Sequence, residues 1–199
     1  MMRIFNKFAL SVLAISFSLS TAFAGEWDNL PAAKQTKAGL YMHTVEAYKF
    51  TTDNKDKVLF LDVRTKEEVQ FLGMATVADA NVPYLQNSDW FEWNDKSKNF
   101  KLVPNNSFAA EVERRILAKG LTKNDPIILM CRSGDRSSLA SNLLTDLGFK
   151  KVYTVVEGYE GDVAKDGPNK GRRVVNGWKN EGLPWTYDLD KTKMYGSAS

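Results

Sequence analysis

The segment MCRSGDRSS, residues 130–138, contains the only cysteine of the 199-residue chain. Arg132 and Arg136 follow it closely, Gly134 lies between them, and the apolar run PIILM precedes it. The thiolate is the nucleophilic form of cysteine, and nearby cations and a helix N-terminus both favour it. The residue types and spacing are therefore those of a sulfur nucleophile in a cradle. Ser133, Gly134 and Asp135 favour a tight turn that aims several backbone N–H groups into one small concavity. The same donors suit a bound anion, or a second sulfur atom attached to Cys131. A lone cysteine cannot close an internal disulfide, so it is a buried filler, an intermolecular partner or a reactive thiol, and the residues around it point to the last. One cysteine and one histidine, His43, neither with a neighbour at ligand spacing, argue against zinc.

Such a cradle needs a strand to deliver the cysteine and a helix to follow it. Ile127–Met130 reads as a buried strand, and SLASNLLTDL, residues 138–147, as the helix, with Gly148 as its stop. Upstream, VLFLDV at 58–63 is a continuous apolar run that suits a strand buried on both faces. Thr65 and Glu68 form a capping box for a helix to about Leu72, stopped by Gly73. Shorter strands are expected at 40–43, 79–83 and 152–156. A short helix is expected at 44–50, followed by a polar loop at 51–57. Ser107 can cap a helix whose apolar stripe is Phe108, Val112, Ile116 and Leu117, with Gly120 as its stop. Strand and helix patterns alternate, which predicts an α/β fold with a mostly parallel sheet. Residues 84–106 are long for a plain loop. The Gly- and aromatic-rich tail from Glu157 is expected to wrap the domain edge, with Trp178 and Trp185 against the sheet edge.

The first residues read differently. Arg3 and Lys7 precede the apolar run FALSVLAISFSL, and Ala22-Phe23-Ala24 closes the segment. That is the pattern of a signal peptide at 1–24, too short to span a bilayer, which takes about 20 apolar residues. Residues 25–199 then form one domain with its core at about 40–185, and the simplest destination is the periplasm. Removing Arg3 and Lys7 lowers the formal charge from +3 to +1. So near-neutral a chain gives no case for nucleic-acid or membrane-surface binding.

CRSGDRS after an apolar strand, with LFLDVRTKEEV upstream and GYEG and GWKNEGLPW in the tail, resembles the rhodanese superfamily. The likeness runs from about Leu40 to Trp185. It implies a rhodanese-like α/β fold, with a central, mostly parallel five-stranded sheet flanked by helices, and sulfur transfer through a cysteine persulfide. On that resemblance Cys131 is the sulfur carrier, and Arg132, Ser133, Gly134, Asp135, Arg136 and Ser137 form the loop that binds donor and persulfide. Asp62 and Arg64 fall on an Asp-x-Arg strand end behind the loop, and Glu68 on the acidic residue of the next helix. For Asp62 a purely structural ion pair or turn cap is equally compatible. The region LGMATVADANVPY lacks the histidine segment common in the family, and 84–106 and 165–173 look like insertions.

Four residues separate Cys131 from Arg136, one fewer than in cysteine phosphatases, and the narrower loop suits a single sulfur better than a phosphoryl group. The expected reaction is attack of the Cys131 thiolate on the outer sulfur of a donor such as thiosulfate, with Arg132 and Arg136 guiding the dianion. A thiol or cyanide then takes the sulfur from the persulfide. No metal or organic cofactor is called for. The rival expectation is a non-turnover sulfur-relay or partner-binding module with a periplasmic protein partner. His43 is assigned no catalytic role. Trp90, Phe91 and Trp93 read as an aromatic cluster pinning a long loop, and Lys165, Lys170, Arg172 and Arg173 as a solvated charged loop.

Overall fold

A computed structural model describes residues 27–196; the expected signal peptide, 1–24, lies outside the described residues. In chain order the elements are β1 (Tyr41–Met42), α1 (Thr44–Asp53), β2 (Leu59–Asp62), α2 (Lys66–Leu72), β3 (Met74–Ala75) and β4 (Ala80–Asn81). There follow β5 (Leu85–Asn87), β6 (Trp93–Asn94), β7 (Asn99–Phe100), β8 (Leu102–Pro104) and α3 (Phe108–Ala118). The chain then forms β9 (Pro126–Met130), α4 (Asp135–Asp146), β10 (Lys151–Val155) and β11 (Trp185–Thr186). No described helix is long and apolar enough to cross a membrane.

Five strands form one sheet in the order β1-β10-β9-β2-β4. Every pairing in it is parallel, with Leu59 opposite Ile127 and Asp62 opposite Met130 at the centre. Side chains alternate across a strand, so the continuous apolar runs feed two cores at once. Leu59, Leu61, Ile127, Leu129 and Cys131 face Phe108, Val112 and Ile116 of α3 and Leu144 of α4. Phe60, Ile128 and Met130 face the other way, toward Ala47 of α1, Val69 of α2, and Tyr159 and Trp178 of the tail. The expected α/β fold with a five-stranded parallel sheet is the one observed.

The local differences have local causes. Helix α1 passes its expected end at Phe50 because Thr51 and Thr52 donate their hydroxyls back to the carbonyls of Ala47 and Lys49, so the polar stretch joins the helix. Leu117 is 67 % exposed and lies off the buried stripe of α3. Helix α4 begins at Asp135, three residues before the expected start, because Gly134 at φ +96° acts as its N-cap. Arg136 and Ser137 therefore sit in the first turn of a helix and not on a free loop. Residues 84–106 fold into two small antiparallel ladders, β5 with β8 and β6 with β7. In the tail, β11 pairs antiparallel with β3. Trp178 does not sit at the sheet edge; it is fully buried against Phe60 and Tyr48, and its indole N–H donates to the Pro184 carbonyl at 3.0 Å.

Candidate active site

Strand β9 ends at Met130 and delivers Cys131 to the carboxyl edge of the sheet, the edge at which open α/β sheets bind ligands. The residue is nearly buried, 1 % exposed. Its Sγ accepts the Gly134 backbone N–H at 3.2 Å and lies 3.5 Å from the Ser137 hydroxyl, which itself donates to the Gly134 carbonyl at 2.8 Å. The left-handed conformation of Gly134 turns that N–H inward, and α4 starts at once behind it. The sulfur thus sits against an amide donor at the positive end of a 12-residue helix, surroundings that suit a sulfur atom bearing negative charge.

The tail holds the loop from outside. Tyr159 N–H donates to the Cys131 carbonyl at 2.8 Å, and Glu160 N–H to the Arg132 carbonyl at 3.0 Å. Gly158 passes so close that an added Cβ would lie 2.6 Å from the Arg132 carbonyl carbon and the Ser133 nitrogen. Gly134 is as crowded: a Cβ there would meet the Val156 carbonyl oxygen at 2.4 Å. Ser133 is half-buried beneath this strap, whereas Asp135 is exposed in the first turn of α4.

Behind the loop, Asp62 and Arg64 form a fully buried ion pair, with Nε 3.0 Å from one carboxylate oxygen and Nη2 also donating to the Gly73 carbonyl at 2.8 Å. The guanidinium lies 3.7 Å from the Tyr159 ring centroid. Burial works against the Arg64 charge, but the charge and hydrogen bonds of Asp62 outweigh it and hold its pKa above the ordinary arginine value. Burial pushes the Tyr159 phenol up. Asn81 ties the strand end together by donating to the carbonyls of Asp62 and Arg64.

The two loop arginines are both engaged. Arg136 grips Glu68 through two bonds of 2.6 Å, and Arg132 donates its Nε–H to Glu160. Burial opposes the Glu68 carboxylate, but Arg136 outweighs it and keeps its pKa below the usual glutamate value. Burial likewise opposes the Arg136 charge, and Glu68, then Cys131, outweigh it. The Thr65–Glu68 capping box expected from the sequence forms as well, with Thr65 N–H donating to Glu68 at 2.9 Å. One carboxylate therefore caps α2 and anchors the first turn of α4. Sequence reasoning missed Glu160. It lies 28 residues from Arg132, and no local spacing announces the pair.

Two cavities lie in this region, one reaching the loop at Asp135 and the other bordered by Glu68, the partner of Arg136. One of about 410 Å³ lies between Thr65, Glu67 and Glu68 of α2 and Asn94, Phe100 and Leu102 of the 84–106 excursion. The other, about 1130 Å³, is lined by Trp27, Lys34, His43, Asp135, Lys165 and Lys170, among others. His43 caps α1 there and pairs through Nδ1 with Glu157, and its ring lies 4.7 Å from that of Trp27. Phe91 and Trp93 pack edge-on against Phe100, as a pinning cluster would, whereas Trp90 is 87 % exposed.

A family model for the rhodanese-like domain matches residues 45–165. An uncharacterised protein of Rickettsia conorii is 31 % identical over 147 residues, covering 72 % of this chain and 94 % of that one. The thiosulfate sulfurtransferase of Tolumonas auensis is 42 % identical over 41 residues, 21 % of this chain and 39 % of the other. The crystal structure of Rv0390 from M. tuberculosis aligns with a TM-score of 0.55 at 26 % identity, covering 74 % of this chain and 96 % of that one. A parallel sheet that delivers its one cysteine into a glycine turn at a helix N-terminus, together with these matches, places the chain in the rhodanese-like family, which has sulfurtransferase members.

Proposed function

We propose that the protein is a sulfurtransferase that carries sulfane sulfur on Cys131. The observation that supports this most is the 3.2 Å bond from the Gly134 N–H to Sγ at the start of α4. The Cys131 thiolate attacks the outer sulfur of a donor such as thiosulfate. A new S–S bond forms, the donor's S–S bond breaks, and sulfite leaves with the bonding pair. Cys131 is left as a persulfide anion, and the loop N–H groups and helix N-terminus offset its charge. A thiol or cyanide then attacks the outer sulfur, departs with it, and returns Cys131 as thiolate. Ser133, Gly134, Asp135 and Ser137 shape the cradle. Arg132 and Arg136 hold its two sides, and Asp62 and Arg64 brace the strand end behind it. We also propose export to the periplasm through residues 1–24, in which case the mature chain begins at Gly25.

Intact mass tests the reaction. After exposure to a sulfane donor the wild type gains one sulfur atom and loses it to a thiol, whereas Cys131→Ser gains none and melts close to the wild type. A sulfur gain by the variant would exclude Cys131 as carrier. Cysteine-dependent loading without turnover on small acceptors would instead favour the relay function, in which a protein partner collects the sulfur.

A further inference from the structure

At the amino ends of β2 and β4, the opposite end of the sheet from Cys131, lies a cavity of about 920 Å³ that includes Leu59 and Asp79. One wall is α3 and its C-cap, with Glu111, Arg114, Arg115 and Lys119, and the other is the tail, with Met194 and Tyr195. The charges there pair unequally. Glu111 alone takes both arginines: Arg114 donates through Nε and Nη2, each at 2.8 Å, and Arg115 through Nε at 2.7 Å. Hydrogen bonds from Arg114, against the effect of burial, and then from Arg115 hold the Glu111 carboxyl below the usual glutamate range, so it is fully charged at neutrality. Asp79 takes Lys119 at 2.6 Å, and Glu113 pairs with Lys123 on the same helix. In the facing tail, Asp188 and Asp190 balance Lys191 and Lys193. Two guanidiniums on one carboxylate therefore leave one positive charge over.

Arg115 is the cation of the pair held furthest from water. Its side chain is 12 % exposed, against 61 % for Arg114, and its terminal nitrogens Nη1 and Nη2 have no partner among the described residues. A guanidinium with both ends of its fork open suits a carboxylate, which it can grip through two parallel bonds. The carbonyls at the end of α3 oppose an anion little, because the N–H groups of Lys119, Gly120 and Leu121 close on those of Arg115, Leu117 and Ile116. Met194 and Tyr195, both half-buried, supply apolar surface on the facing wall. The volume is that of a small-molecule pocket. From this surplus and its surroundings we infer a second ligand site: the cavity binds a small organic carboxylate, with the carboxylate on Arg115 and the apolar body against Met194 and Tyr195. A surplus of one charge favours a monoanion over a phosphate dianion. The site is separate from the sulfur chemistry proposed for Cys131 and stands or falls apart from it.

Benzoate and hexanoate serve as probes, with benzamide as the uncharged control and inorganic phosphate as charge without an apolar body. Each is titrated into the wild-type protein and followed by amide NMR. Both carboxylates are expected to bind with a Kd of about 1 mM or tighter. They should shift the amides of Ala118, Lys119, Thr192 and Tyr195 and leave that of Gly134 unmoved. Benzamide and phosphate are expected to bind about tenfold more weakly. Arg115→Gln is expected to weaken benzoate binding about tenfold, and Glu111→Gln, which removes the competing carboxylate, to tighten it. The wild-type titrations and their amide map decide the matter alone if either variant folds poorly. Benzamide or phosphate binding as tightly as benzoate, shifts centred on Gly134, or no saturable shift with either carboxylate overturns the inference. None of these outcomes bears on sulfur loading of Cys131.

Discussion

Two ion pairs show how burial separates a brace from a tunable contact. Asp62 and Arg64 are fully buried, so removal of either strands the other's charge without water. Arg64→Ala is expected to lower unfolding free energy by about 3–5 kcal/mol in urea denaturation. The Glu68–Arg136 pair keeps some contact with solvent. The carboxyl has a folded pKa lowered from 4.5, so it contributes stability that is fully present above pH 4.5 and is lost as pH falls through the lowered value. The melting-temperature gap between wild type and Glu68→Gln should hold from neutrality down to about pH 4.5 and close below it. A gap unchanged at lower pH would mean that the glutamate acts by packing alone.

At the scale of elements, the site is a strand, a turn and a helix held down by a strap. Gly134 sets the turn and Gly158 the strap, and both need positive φ and a missing Cβ. Gly158 and Gly182 share φ +69°, yet only Gly158 abuts another chain segment; around Gly182 there is open space. Both alanine variants pay the same backbone strain, about 1 kcal/mol. Gly158→Ala must in addition push the Arg132–Ser133 peptide, so its sulfur loading should fall well below that of Gly182→Ala in the intact-mass assay. Equal loading would show that the strap does not set the loop. The turn was legible in the sequence because glycine there has a local meaning. The strap was not, since Gly158 is one of 13 glycines and its neighbour lies a strand away.

For the whole molecule, the sheet is covered on both faces and the carboxyl edge is left for chemistry. The tail closes one face with Trp178 and adds β11 to β3. The 84–106 excursion contributes little to either core. The hydrogen bonds described for residues 88–101 close within that segment, as between Lys101 N–H and the Glu92 carbonyl. Replacing 88–101 by an Asn-Gly turn that joins β5 to β8 is expected to shift the melting temperature by less than about 4 °C and to leave the far-ultraviolet circular dichroism of the helices unchanged. Loss of cooperative melting would show that the excursion carries part of the core. Trp90, Phe91 and Trp93 belong to this projection and not to the fold's interior.

Local pattern alone sufficed for the alternating strands and helices, the Thr65–Glu68 cap and the turn at Gly134, because each depends on residues a few positions apart. The same holds for the placement of Cys131 at a strand end before a helix. Only the tertiary structure decided what the charges do. Arg136 finds Glu68 across 68 residues of chain and Arg132 finds Glu160 from the tail, so each of the two loop cations is paired with a carboxylate. Ion pairing depends on distance in space, and distance in space between remote residues exists only once the sheet has assembled and the tail has closed over the loop.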